Sequence, residues 1–207
     1  MKTINDLHEK YVGFKAIILG NGKSINDFKP LPDTITIGVN DINKKIDPDY
    51  HLLVDTTTRF SKERILEIYK TNSKSILTQV NKGWDFGIER QYLFKLGSYG
   101  AFPNLVFNDK LDFGLDSPYM GVLLAYKMGI RIIGLLGVDY TPGHFYNEED
   151  GDHQLVKVNK LEDVKRLYCV LHAEMTHRRT QLFNLNKTSK IDTVPFMPIE
   201  TFAGLKP

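Results

Sequence analysis

Ala16-Ile17-Ile18-Leu19-Gly20-Asn21-Gly22-Lys23-Ser24 is the stretch from which the fold can be read. Four apolar residues in a row describe a strand buried on both faces, and they run straight into a Gly-Asn-Gly-Lys-Ser turn. Gly20 and Gly22 let the backbone approach a ligand closely. Ser24 stands where it can cap a short helix through Phe28, and the unpaired N–H groups of a helix start suit an anion such as phosphate. The turn is too short for the longer Gly-Lys-Ser phosphate loop, and Ile25 fills the third glycine's place in Gly-x-Gly-x-x-Gly.

Outward from that turn, buried runs alternate with helical ones. Residues 3–13 carry Ile4, Leu7 and Tyr11 on one face, as a short amphipathic helix or arm. Strands are predicted at 34–39, 51–54, 75–80 and 131–138, and a last one near 182–185. Helices are predicted from Ser61, over 119–128 behind a Ser117 cap and first-turn Pro118, and from Leu161 to about Gln181. Segment 81–115, with the only tryptophan, reads as an aromatic-rich insertion of edge strands and loops, and polar 141–159 as a lid. The fold class is α/β: a Rossmann-like, mostly parallel open sheet with helices on both faces, forming a single nucleotide-binding domain over 1–207.

Composition narrows the partners. With 27 basic and 25 acidic residues in mixed order, the net charge of +2 leaves no electrostatic footprint for nucleic acid. No apolar run approaches the ~20 residues of a membrane span and no secretory leader is present, which points to the cytoplasm. Cys169, the single cysteine, sits in an apolar helical run and is expected in the core. Helix 119–128 and the aromatic region 84–107 offer surfaces for a homo-oligomer.

In open parallel sheets ligands bind beyond the carboxyl ends of the strands, at the switch in strand order. Asn21, Asn40, Asp55 and Asp139 all fall at such ends and should converge on one crevice. An asparagine amide both donates and accepts, as a base, ribose or sugar hydroxyl requires, while the aspartates accept from hydroxyls. The same residues carry a resemblance. Ile17 to Ser24, Gly38-Val39-Asn40, a strand ending on Asp55, Asp116 to Val122 before a helix, and Leu136 to Tyr140 together look like the bacterial family 42 sialyltransferases. The wider DUF115 and MptE-like group, with phage-borne members, is similar too.

The resemblance implies a metal-independent glycosyltransferase with a nucleotide-activated, CMP-sialic-acid-like donor and a glycan or small-molecule acceptor. Carried over, the donor's nucleotide falls to Asn21, Gly22, Ser24, Asn40, Asp55 and Ser117, and its phosphate to Tyr140 and Tyr146. No cofactor is required. The family's histidine base is missing, because Val158-Asn159-Lys160 occupies its place; His153 and His144 lie earlier in the loop, with Asp139 and Asp152 as carboxylate alternatives. Two other readings stand beside this one: an MptE-like pterin diphosphokinase using ATP and Mg²⁺, and a phage-associated binding or assembly module without turnover. The acidic run Glu148 to Asp152 would serve Mg²⁺ only in the diphosphokinase.

Overall fold

The computed structural model describes residues 1–100, 102–146 and 160–207. Most of the expected lid, including Glu148 to Asp152 and His153, lies outside these residues. The strands are β1 (Lys2–Thr3), β2 (Lys15–Leu19), β3 (Thr34–Val39), β4 (Tyr50–Leu53), β5 (Ser75–Gln79), β6 (Gln91–Tyr99), β7 (Lys110–Phe113), β8 (Ile132–Leu136) and β9 (Gln181–Asn184). The helices are α1 (Lys62–Tyr69), α2 (Ser117–Lys127), α3 (Leu161–His177) and α4 (Ile199–Gly204).

Among the described residues the nine strands form one sheet in the order β1-β6-β5-β4-β3-β2-β8-β9, with β7 beside β6. The recorded strand pairs are all parallel. From β2 the chain steps outward through β3, β4, β5 and β6, then crosses back to lay β8 on the other side of β2. The strand order therefore reverses between β2 and β8.

β2 is buried along its whole length, and its alternate residues feed the two faces of the sheet. Ala16 and Ile18 join the cluster that holds α2 and α3, whereas Ile17 and Leu19 pack with Ile25, Ile42 and Phe202 on the other face. A third cluster gathers Leu53, Ile68, Ile76 and Trp84, with Phe60 and Phe86 against it. α2 lies so close to the sheet that a Cβ added at Gly121 would stand 2.8 Å from Ile18 Cγ2.

The structure departs from the sequence reading at several ends. Asp116, not Ser117, caps α2: its Oδ1 accepts from Tyr119 N at 2.8 Å, and Ser117 is the first helical residue. Ser24 caps nothing, because the turn Lys23–Asp27 is a 3₁₀ helix whose N-cap is Gly22. The N-terminal arm is reduced to one 3₁₀ turn, Ile4–Leu7, capped by Thr3 and Asp6, with Lys2 and Thr3 paired to β6. α3 stops at His177, where Arg179 takes a left-handed φ of 57°.

Cys169 is exposed, because α3 buries the stripe Val164, Leu167, Tyr168, Leu171 and Met175 and carries Cys169 on another face. α2 offers no surface for an oligomer: residues 119–125 are all buried. No helix among the described residues is long and apolar enough to cross a membrane.

Gly121→Val should lower the midpoint of urea unfolding by the equivalent of about 1–3 kcal/mol, since the added methyls must displace Ile18 in a filled core. An unchanged midpoint would show that α2 is not seated on β2 at this distance.

Candidate functional site

A cleft of about 370 Å³ opens at the carboxyl ends of β2, β3, β4 and β8. Its floor is a lock between the two loops that flank the switch in strand order. Gly20 N donates to Leu136 O at 2.8 Å, and Gly22 N to Gly137 O at 2.7 Å. Side chains are excluded there: a Cβ on Gly20 would sit 2.3 Å from Gly137 O, and one on Gly22 would sit 2.4 Å from Asp139 Oδ2. Gly137 itself has φ 72°, a conformation cheap only for glycine.

Asp139 and Ser24 complete the lock. Asp139 Oδ2 accepts from Ser24 N at 2.8 Å, and Oδ1 accepts from Ser24 Oγ at 2.6 Å and Asn186 Nδ2 at 2.8 Å. Ser24 Oγ in turn accepts from Gly137 N at 2.9 Å. Asp139 is only 3% exposed, so these donors replace water around its carboxylate.

Asn40 follows β3 in a left-handed conformation, φ 50°. Its carbonyl accepts from His51 Nε2 at 2.6 Å, and His51 Nδ1 lies 3.2 Å from the Thr71 hydroxyl. Among the described residues the side-chain oxygens of Asn21 and Asn40 are both buried without a hydrogen-bond partner. Such orphans cost roughly 1–3 kcal/mol each unless a donor meets them. Both residues line the cleft.

Charges at the cleft and just behind its wall are held in separate groups. Buried Asp41 takes Arg64 through Nε at 3.2 Å and Nη2 at 2.5 Å, with Lys44 at 3.7 Å and the Tyr146 hydroxyl at 3.3 Å. Lys44 Nζ lies 4.1 Å above the Tyr146 ring, and His144 stacks on that ring with centroids 5.4 Å apart. Asp116 accepts from the Tyr140 hydroxyl and, at 3.2 Å, from Tyr168. Burial, and then the Asp116 charge, push both phenols well above their ordinary range, so they remain donors. Asp55 and Arg59 also line the cleft, and neither side chain has a partner among the described residues.

No three His, Cys, Asp or Glu side chains gather in a metal-holding group among the described residues.

No family model matches the chain, and no curated protein matches it. Solved structures do. The sialyltransferase CstII from Campylobacter jejuni, in complex with the substrate analogue CMP-3FNeuAc, has a TM-score of 0.52 and 12% identity over 89% of this chain and 86% of that one. A variant of that enzyme in complex with CMP has a TM-score of 0.53 at 12% identity over the same shares of 89% and 86%. MAf glycosyltransferase from Magnetospirillum magneticum AMB-1 has a TM-score of 0.53 at 12% identity, covering 99% of this chain but 39% of that one. The fold is one shared with sialyltransferases.

Within this sialyltransferase-like fold, Asn21, Gly22, Asn40, Asp55, Ser117, Asp139, Tyr140, His144 and Tyr146 all line the one cleft. Ser24 lies one layer behind it, on Asp139. His153 is outside the described residues. The structure adds Arg59, Phe60, Arg64 and Asp116, none of which the sequence reading placed in the site. Arg59 follows β4 in the short turn after Asp55, where following the strand end a few residues further would have found it, whereas Arg64 comes from the first turn of α1.

Burial lowers the His51 imidazole from 6.5 to about 4, against the opposing pull of the Asn40 carbonyl and the Asp41 and Asp47 charges. The folded value lies below the unfolded one, so stability is fully present above pH 6.5 and is lost as pH falls toward 4. The loss is on the order of 3 kcal/mol. Urea unfolding of the wild type and His51→Gln at pH 7 and pH 4.5 isolates this contribution, since every other titrating group is common to both. His51→Gln should lose distinctly less stability at the lower pH; an equal loss would contradict a buried neutral imidazole.

Proposed function

We propose that this chain is a cytoplasmic glycosyltransferase that binds a nucleotide-activated sugar, with a CMP-sialic-acid-like donor as the best-supported class. The observation that carries the reading is the pair of buried, unpartnered amide oxygens of Asn21 and Asn40 in a cleft at the switch in strand order. They call for a ligand that brings N–H or O–H donors, as a base with its ribose does. The shared fold with sialyltransferases, one of them holding CMP-3FNeuAc, supports the same class.

In this reading Asn21, Asn40 and Asp55 hold base and ribose, while Ser117 and Arg59 face the phosphate. Tyr140 and Tyr146 contribute ring surface and hydroxyl oxygens, because their protons already point to Asp116 and Asp41. Asp139 is assigned the anchoring of the floor and not proton transfer, since three donors already occupy its oxygens. An acceptor hydroxyl attacks the anomeric carbon, His144 or His153 takes its proton, and the nucleotide phosphate leaves with the bonding electrons. Positive charge from Arg59 stabilises that leaving group without a metal.

Calorimetry with CMP in the absence of Mg²⁺ tests the reading. Binding is expected, and Asn40→Ala should weaken it by about 1–3 kcal/mol and Arg59→Ala by about 1.5–3 kcal/mol. No response to CMP, with a Mg²⁺-dependent response to ATP, would replace the reading by the diphosphokinase; no response to any nucleotide would leave the binding module. His144→Ala should lower the rate of donor turnover far more than donor affinity, because a base acts in the transition state. Equal effects on rate and affinity would remove His144 from that role.

A further inference from the structure

His51 lines no part of the cleft, yet it touches the residue on which the nucleotide reading leans. It occupies the second position of β4, inside an otherwise apolar strand, and is 0% exposed. A carbonyl can only accept, so the 2.6 Å contact to Asn40 O fixes the proton on Nε2. Nδ1 is then an acceptor, and the group beside it is the Thr71 hydroxyl at 3.2 Å. Thr71 has one hydroxyl proton: given to Nδ1, it leaves the Thr71 oxygen to accept from Ser73 Oγ at 3.0 Å, while Asp47 Oδ1, 3.1 Å away, accepts from Asn72 N at 2.8 Å, and Arg90 Nη2 donates to the Thr71 carbonyl at 2.7 Å. A continuous chain of hydrogen bonds thus runs from the turn after α1, through the sheet, to the peptide of Asn40.

That peptide is in need of support. A left-handed backbone is unfavourable for any residue with a Cβ, and asparagine tolerates it only comparatively well. At φ 50° the Asn40 carbonyl turns toward His51, and the side chain is left in the cleft with its oxygen unpaired. Were the carbonyl released, the residue would be free to relax toward extended backbone and the amide would move off its direction.

Resting on the nucleotide-binding reading, we infer that His51 is a positioning residue: its Nε2 proton holds the Asn40 peptide left-handed and so aims the Asn40 amide at the ligand. Gln at position 51 keeps a donor near the Nε2 place, whereas Leu fills the space and removes it. Thr71→Val keeps the shape beside Nδ1 but withdraws its partner.

Calorimetric titration of CMP at neutral pH into wild type, His51→Leu, His51→Gln and Thr71→Val, with the melting temperature of each, tests the inference. His51→Leu should bind about ten-fold more weakly, His51→Gln within about three-fold of wild type, and Thr71→Val between them. A role confined to packing would lower the melting temperature of His51→Leu while leaving the affinity of its folded fraction unchanged, and that result overturns the inference. Should His51→Leu fail to fold, Thr71→Val and His51→Gln decide alone, and wild-type affinity in Thr71→Val overturns it. Wild type binding no nucleotide is a different failure: it rejects the functional reading, and the inference with it.

Discussion

The cleft depends first on a contact between two peptides. Gly20 and Gly137 meet carbonyl to backbone at a distance that no Cβ could occupy, and Gly22 leaves room for the Asp139 carboxylate. This closeness brings the loops after β2 and β8 together where strand order reverses between these two strands. Asp139 then joins them through Ser24 and reaches Asn186 beyond β9. The glycines that look like a ligand cradle in the sequence are thus required by the protein's own backbone before any ligand arrives. Whatever binds above them meets a floor that is already built, and a preformed floor spares the complex the cost of ordering a loop.

The carboxylates around that floor follow one rule. Asp41 faces Arg64, Lys44 and Tyr146; Asp116 receives two phenols and the Tyr119 amide; Asp139 receives a hydroxyl, an amide and a backbone N–H. A carboxylate drawn out of water is tolerated only when donors replace that water, and here the buried Asp41 and Asp139 and the half-buried Asp116 each have their set. Asp55 is the exception, and neither its side chain nor that of Arg59 is engaged among the described residues. They are therefore the charged groups at the cleft that a ligand can engage without first breaking an internal contact.

Strands were legible because a buried parallel strand leaves a continuous apolar run, as at Ile17 to Leu19 and Ile132 to Leu136. The polar residue after each run was legible for the same reason: Asn21, Asn40, Asp55 and Asp139 mark where the apolar run stops. What followed from contacts between distant segments was hidden. Ser24 reads as a helix cap, since Ser before a short polar run is the usual cap signal, but Asp139, over a hundred positions away, claims its hydroxyl. Asp116 and Ser117 are both good caps, and only the Tyr119 amide's choice separates them. His51 has no local signature at all, being a single polar residue in a strand whose partner is the carbonyl of another turn.

Left-handed residues tie these observations together. Asn40 and Tyr140 have φ of 50° and 53°, and each stands close after a strand that ends at the cleft. A left-handed residue turns the chain sharply and swings its carbonyl out of the strand direction, which sends the next segment away and leaves the side chain at the strand's mouth. Each such turn must be held, and the holders differ in kind. Tyr140 is held through its hydroxyl by Asp116, at the start of α2; Asn40 is held through its backbone by His51, leaving its amide uncommitted. The same backbone device therefore yields one side chain already engaged by the protein and one whose buried oxygen has no partner among the described residues.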